Sequence, residues 1–146
     1  MKIYLDTCSL QCPLDSKTHI RIILEAEAVL SILGACEADM LTLVASDVLL
    51  FETERTPNPT RRKYALEALA KARQWASMDE TIESRARALH ALGIKPLDAL
   101  HLASAEAAQA DYFCTCDDKL LKRAQRLQDA QTRIVSPLEL IKEIEK

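Results

Sequence analysis

Four carboxylates occupy positions from which acidic side chains could act together on a phosphate ester. Each lies at the end of a predicted strand or in the early turns of a predicted helix: Asp6, Glu52, Asp98 and Asp117. Because these points meet at one edge of a parallel sheet, we expect the four groups to converge. Carboxylates held close together repel one another, so a cation is needed to keep all of them ionised. Hard oxygen ligands suit Mg²⁺ or Mn²⁺, and such an ion can generate hydroxide and stabilise the charge that develops on a phosphate.

Each carboxylate, taken alone, also has a simple structural explanation. Asp6 could merely end a strand, and Glu52 could be a solvated residue on a helix. Asp98 could complement the dipole of its helix, and Asp117 could serve only as a helix N-cap. The chemical interpretation therefore depends on the set of four and not on any single member.

Short apolar runs alternate with longer segments of helical periodicity. The runs predict four strands, at residues 3–5, 41–45, 112–116 and 134–135. Helices are predicted at residues 20–33, after Ser46 or Asp47, from Asn58-Pro59 to about residue 75, from Asp79 to Gly93, from Pro96, after Asp117 or Asp118, and from Ser136-Pro137. This alternation predicts an α/β fold in which helices cover both faces of a parallel sheet of about four to five strands.

The length and composition of the chain limit the classes of protein to consider. Residues 1–146 have the length of one domain. No apolar run approaches the ~18 to 20 residues that a membrane span needs, and the N-terminus becomes polar too early for a secretory signal. We therefore expect a soluble cytoplasmic protein without a membrane partner. The two glycines, Gly34 and Gly93, exclude a Gly-rich loop of the P-loop or dinucleotide-binding kind.

Charge and cysteine content are less informative. The net charge of −3 and the pI of about 5.6 are unlike those of a typical nucleic-acid binder, although acids gathered in one cleft can mask a basic rim. Basic clusters at residues 61–63 and 119–126 are more simply explained as solvated helix faces. Five cysteines without a secretory context predict reduced thiols, and their CxxxC and CxC spacings do not match a structural zinc site.

Four acidic segments, in order and over nearly the whole chain, resemble the motifs of PIN-domain nucleases. The segments are IYLDTCS, SDVLLFE, KPLDALHLASA and FCTCDDKLL. The third and fourth are the most specific, and the four together are a strong match. The helical segment that contains RIILEAEAVL is similar to a group of bacterial PIN proteins close to the toxins of VapBC-type toxin–antitoxin pairs.

The resemblance implies a three-layer α/β/α fold, Mg²⁺ or Mn²⁺ as the cofactor, and hydrolysis of phosphodiesters, usually in RNA. It implies that Glu52 completes a catalytic cluster with the principal metal-binding carboxylates, which are Asp6, Asp98 and Asp117. Thr115 or Thr7 would support the cluster by hydrogen bonding. Asp117 is preferred to its neighbour Asp118 because Thr-x-Asp is the spacing of the family.

The resemblance also implies partners, which are an RNA substrate, a small antitoxin protein in the acidic groove, and a second copy of the chain in a homodimer. Arg21 and Arg55 are candidates to position the nucleic-acid backbone. His101 lies one turn after Asp98 and is interpreted as a structural histidine with satisfied hydrogen bonds. Cys116 is interpreted as a packing residue.

The residues disagree with two other functions and are compatible with a third. A phosphatase with an aspartyl nucleophile expects a second Asp two positions after the first, and here that position holds Cys8. A receiver-like signalling module expects paired acids after the first strand, but Thr7 follows Asp6. A non-catalytic PIN-fold binding or assembly protein is compatible with the sequence, because a competent metal site need not be used.

Overall fold

Strands and helices alternate along the chain in the computed structural model, which describes residues 1–145. The strands are β1 Lys2–Leu5, β2 Thr42–Ser46, β3 Gln74–Ala76, β4 Tyr112–Cys114 and β5 Arg133–Val135. The helices are α1 Thr7–Gln11, α2 Ile20–Glu37, α3 Asp47–Glu54, α4 Pro59–Leu69, α5 Glu80–Ala91, α6 Pro96–Ala107, α7 Asp118–Gln125 and α8 Pro137–Ile144. A short 3-10 helix, Cys12–Leu14, follows α1.

All five strands form one parallel sheet in the order β3-β2-β1-β4-β5. β1 lies at the centre, where Ile3 pairs with Leu43 of β2 and with Tyr112 of β4. Because all the strands run in the same direction, their carboxyl ends share one edge of the sheet. The predicted α/β fold with a parallel sheet of four to five strands is confirmed.

Helices flank the sheet, so that the fold has three layers. α6 packs against α5 and contacts β2 and β3, whereas α8 packs against α2 and contacts β4 and β5. The strands supply fully buried side chains to the core, including Ile3, Leu5, Val44 and Phe113. Burial of one such large apolar side chain stabilises the fold by roughly 1.5–3 kcal/mol. Within residues 1–145, none of the helices is both long enough and apolar enough to span a bilayer.

The helix starts agree with the local signals in the sequence. Six helices begin after a side chain that accepts a backbone N–H as an N-cap: Asp6, Ser46, Asn58, Asp79, Asp117 and Ser136. Ser46 and Asp117, rather than their neighbours Asp47 and Asp118, are therefore the caps of α3 and α7. Gly93 follows the end of α5 with a φ of +102°, a left-handed conformation that favours glycine.

One predicted helix is too long. The helix predicted from residue 58 to about residue 75 ends at Leu69, and the last part of the segment forms β3 at the edge of the sheet. The Arg73 N–H donates to the Leu43 carbonyl of β2 at 3.1 Å, and the Trp75 indole donates to Asp47 at 2.7 Å. These pairings join segments that are distant in sequence, and they override the local helical pattern.

Helix α2 extends four residues beyond its predicted end at residue 33, and its apolar residues face in two directions. Four of the five residues that predicted it are exposed, with exposed fractions of 39–77%: Ile20, Ile23, Leu24 and Leu30. The buried side of α2 is formed instead by residues that include Ala26, Val29 and Ile32. The periodicity therefore predicted the helix correctly but did not identify the face that enters the core.

Candidate active site

The four predicted carboxylates line one pocket at the carboxyl edge of the sheet. Asp6 directly follows β1, Glu52 lies in α3, Asp98 lies in the first turn of α6, and Asp117 lies between β4 and α7. Together they line a pocket of about 490 Å³. The structure thus brings the four side chains together, while their roles stay predictions.

Two of the carboxylates are held in place because they are helix N-caps. Asp6 Oδ1 accepts the Ser9 N–H at 2.9 Å, and Asp117 Oδ1 accepts two N–H groups in the first turn of α7, at 3.0 and 3.3 Å. Thr115 lies close to both, because its Oγ1 accepts the Asp117 N–H at 3.1 Å and its hydroxyl acts to lower the pKa of Asp6. Burial raises the pKa of Asp6, and the Thr115 hydrogen bond acts in the opposite direction. The strand predicted to reach residue 116 ends at Cys114, which places Thr115 in this position.

Glu52 is held by side chains from two other elements. Its Oε1 accepts a hydrogen bond from the Thr7 hydroxyl and lies 2.9 Å from Nε2 of His101. The hydrogen bond to His101 is the main cause of a lowered pKa of Glu52, and burial acts in the opposite direction. Because an ionised carboxylate needs a donor, the geometry places the His101 ring proton on Nε2.

A buried chain of hydrogen bonds continues behind His101. Its Nδ1 lies 2.7 Å from the Tyr4 hydroxyl, which lies 2.7 Å from Ser46 Oγ. Burial raises the pKa of Tyr4, so that its hydroxyl keeps a proton to donate to Nδ1. Ser46 Oγ already accepts the Leu49 N–H at 3.1 Å, which leaves the Ser46 hydroxyl proton for Tyr4. The donors therefore run in one direction, from Ser46 through Tyr4 and His101 to Glu52.

These hydrogen bonds change the interpretation of His101. Both ring nitrogens are hydrogen-bonded, as expected for a structural histidine, but one of the two partners is a carboxylate of the candidate site. The sequence does not single out Tyr4, and it indicates Ser46 only as a helix cap. The available signal was the tyrosine itself, since a buried hydroxyl in an otherwise apolar strand needs a hydrogen-bond partner.

Asp98 differs from the other three carboxylates in its environment. Among the described residues, none donates a hydrogen bond to its carboxylate. Its pKa is raised to about 6, mainly by burial and next by the negative charge of Asp6. The pocket therefore carries unbalanced negative charge at neutral pH, which a bound cation would relieve.

We expect the metal-free protein to lose stability as the pH rises through about 6. The folded state holds an additional proton on Asp98 between the ordinary pKa of 3.8 and the raised value of about 6, so the free energy of unfolding falls with increasing pH in that range. Asp6, whose pKa is also raised, adds to the fall. Thermal unfolding in EDTA on both sides of pH 6 measures the effect, and Asp98→Asn should reduce it. A melting temperature that rises through this range would contradict the assignment.

The donor chemistry of the pocket fits a divalent cation. The groups are carboxylate oxygens, which are the ligands that Mg²⁺ and Mn²⁺ prefer, and the negative charge of Asp6 adds to the effect of burial in raising the pKa of Asp98. Within residues 1–145, no three His, Cys, Asp or Glu side chains are already arranged to coordinate one ion. Ion binding would therefore require side-chain movement, and no hydrogen bond from the described residues restrains the Asp98 carboxylate.

The other residues singled out from the sequence are divided between the pocket and its surroundings. Arg55 lines the pocket. Arg21 does not line the pocket. Its guanidinium donates two hydrogen bonds to Asp118, the longer of them at 2.6 Å, and lies 3.5 Å from a carboxylate oxygen of Glu25. Sγ of Cys116 accepts a hydrogen bond from the Ser9 hydroxyl at 3.7 Å. All five cysteines are free thiols.

Comparison with known proteins agrees with this architecture. A family model of the PIN domain matches residues 3–127, whereas no curated protein matches the sequence. The fold is similar to that of FitAcB from Neisseria gonorrhoeae, with 17% identity, a TM-score of 0.58, and coverage of 93% of this chain and 98% of that chain. It is also similar to VapBC2 from Rickettsia felis bound to a DNA fragment from their promoter, with 14% identity, a TM-score of 0.58, and coverage of 93% of this chain and 98% of that chain. A third similar structure is PAE2754 from Pyrobaculum aerophilum, with 13% identity, a TM-score of 0.55, and coverage of 99% of this chain and 90% of that chain. Since the family model spans most of the sequence, the chain belongs to the PIN domain family.

Proposed function

We propose that this protein is a metal-dependent endoribonuclease of the VapC toxin type. The observation that carries the proposal is the meeting of four carboxylates in one pocket, where the charge of Asp6 helps to raise the pKa of Asp98. Membership of a family whose members are generally nucleases supports phosphodiester hydrolysis. The likeness of the fold to that of VapBC2 supports the toxin–antitoxin context.

The contacts of the residues support a proposed role for each of them. Asp6, Asp98 and Asp117 would hold Mg²⁺ or Mn²⁺, and the bound ion would activate water and stabilise charge on the phosphate. Thr115 would support this set, because its hydroxyl accepts the backbone N–H of Asp117 and acts to lower the pKa of Asp6. Glu52, kept ionised by His101, completes the catalytic set as a carboxylate that can accept a proton from the attacking water.

The first test is incubation of the purified protein with total cellular RNA and Mn²⁺, followed by sequencing of the new RNA ends. We expect a small set of cleavage sites that disappear in EDTA, because the carboxylates alone cannot activate water efficiently. The cleaved ends would also identify the target. If the folded protein, free of any inhibitor, produces no cuts, the proposal of a ribonuclease is wrong, and DNA cleavage or a non-catalytic assembly role takes its place.

We also propose a small antitoxin as a cytoplasmic partner and a homodimer as the assembled form. The similarity of the fold to VapBC2 supports a two-component system. Co-expression with the product of the adjacent open reading frame should yield a stable complex in which cleavage is inhibited. A monomeric mass at micromolar concentration would contradict the homodimer, and failure to form a complex would contradict the antitoxin.

A further inference from the structure

An aromatic residue and a guanidinium are stacked at the mouth of the acidic pocket. Phe51 and Arg55 are one turn apart at the end of α3, and the guanidinium carbon lies 4.0 Å from the centroid of the ring. Both residues line the same pocket as the four carboxylates. In addition, Phe51 is the immediate neighbour of Glu52 in the sequence, so α3 fixes the stack and a catalytic carboxylate relative to each other.

Phe51 is exposed although the chain has very few aromatic residues. The only other phenylalanine, Phe113, is fully buried in the sheet, whereas 46% of Phe51 is exposed. A second exposed apolar side chain, Leu97, is 41% exposed, lines the pocket and directly precedes Asp98. The rim of an otherwise acidic pocket therefore presents apolar surface beside two of its carboxylates.

Arg55 is a cation without an acidic partner within residues 1–145. Other arginines of the chain, such as Arg61 and Arg85, form ion pairs at 2.9 and 2.7 Å. Glu52 lies three residues before Arg55, but its Oε1 is engaged by Thr7 and His101. Arg55 is also the one Lys or Arg among the side chains that line the pocket. Its donors and one face of its guanidinium are thus available to a ligand that enters the pocket.

We infer that the Phe51–Arg55 stack is a binding site for an unstacked nucleobase of a single-stranded nucleic acid. Bases that are free of a duplex stack on aromatic rings and on guanidinium planes, largely without regard to sequence. A base held there would bring a neighbouring phosphate towards the carboxylates, with the Arg55 charge offsetting part of their repulsion. A base within a duplex is already stacked and paired, so it cannot enter without unpairing. The inference rests on the proposed function for the statement that the neighbouring phosphate is the one cleaved.

The alternative is that the stack only stabilises the end of α3. An exposed cation–π pair makes only a small contribution to stability. In that case, loss of the ring would lower the melting temperature slightly and leave nucleic-acid binding unchanged. The two explanations therefore differ in a binding measurement that does not depend on cleavage.

The experiment uses the full-length Asp98→Asn protein, in which bound strands stay intact, and short single strands that carry one 2-aminopurine. Stacking of this base quenches its fluorescence. We expect quenching by the parent protein, and a loss of quenching with affinity about five- to tenfold weaker after Phe51→Ala. Phe51→Tyr should retain both properties, since it keeps an aromatic face. Leu30→Ala, an exposed apolar residue outside the pocket, is the matched control and should bind like the parent.

Strands of RNA and DNA with the same sequence, each tested alone and as a duplex, complete the design. The loss with Phe51→Ala is expected for both single strands, because the base and not the sugar is recognised, and duplexes should bind more weakly than either. Unchanged binding by Phe51→Ala, or a loss confined to one sugar, would overturn the inference. Absence of RNA cleavage by the wild-type protein, with quenching intact, would refute only the proposed function. Cleavage by Phe51→Ala with an unchanged KM would refute only the base-binding site.

Discussion

Asp117→Asn is expected to lower metal-dependent RNA cleavage by roughly 100-fold or more, whereas Asp118→Asn should leave it within about twofold. The two aspartates are adjacent in sequence but differ in position. Asp117 lines the acidic pocket, while Asp118 is an exposed partner of Arg21. Initial rates at a mapped RNA site, measured over a range of Mn²⁺ concentrations, would distinguish the two variants.

This pair of substitutions is informative because both should leave the fold intact. Asn accepts backbone N–H groups as an N-cap about as well as Asp, so Asp117→Asn keeps the start of α7 and removes only the charge. The exposed Asp118–Arg21 pair contributes about 0–1 kcal/mol. Both variants should therefore melt close to the wild-type temperature. Full activity in Asp117→Asn, or loss of activity in Asp118→Asn, would show that the assignment based on the Thr-x-Asp spacing is wrong.

The same reasoning applies to the other proposed metal ligands. Asp6 is also an N-cap, of α1, and Asn can replace it in that role. Asp98 accepts no hydrogen bond within the described part of the chain, so Asp98→Asn removes charge without removing a structural contact. Cleavage should be lost in both variants. Unchanged cleavage by both would refute the proposed metal site as a whole.

The positions of the acids could be predicted because they depend on local signals and one topological rule. Asp6 follows a short apolar run, and Pro96 marks the start of the helix that carries Asp98. Such signals involve neighbouring residues only. The rule that parallel strands end at one edge then predicts convergence without any knowledge of individual contacts.

Features that depend on pairing between distant segments could not be predicted in the same way. Gln74 to Ala76 form a strand because β2 offers them hydrogen-bond partners, and nothing within the segment itself distinguishes a strand from the end of a helix. The sequence makes Arg21 a candidate to position a nucleic-acid backbone, but the fold brings Asp118 to it from 97 residues away. The exposed side of α2 likewise depends on which face its neighbours cover.

The position of His101 near the pocket could be predicted from the sequence, but its hydrogen-bond partners could not. Its distance of one turn from Asp98 correctly indicated proximity to the pocket, and its hydrogen bonds are satisfied as expected. Its partner Tyr4 lies 97 residues away and Glu52 lies 49 residues away. No local pattern could show that the histidine links a buried tyrosine to a carboxylate of the acidic pocket.

His101→Asn is expected to lower cleavage about ten- to hundredfold, whereas His101→Gln should retain most of the activity. The reason is the direction of the two ring nitrogens. The amide of Gln reaches the region of Nε2 and can donate to Glu52, whereas the shorter amide of Asn reaches only the region of Nδ1, near Tyr4. Melting temperatures of the two variants provide the control, because both place a polar amide in the same buried site. Equal activity at equal stability would show that His101 has only a structural role.

A double-mutant cycle with Glu52→Gln tests whether His101 acts through Glu52. If His101 serves to orient and ionise this carboxylate, His101→Asn should cause little further loss once Glu52 is replaced, because residues that act as a unit are not additive. Independent roles would instead multiply the two losses. Tyr4→Phe extends the test, since it keeps the ring that stacks on Phe113 at 5.5 Å and removes the donor to Nδ1. With that donor gone, the ¹⁵N NMR signals of His101 should show a mixture of tautomers, and cleavage should fall only while Glu52 is present.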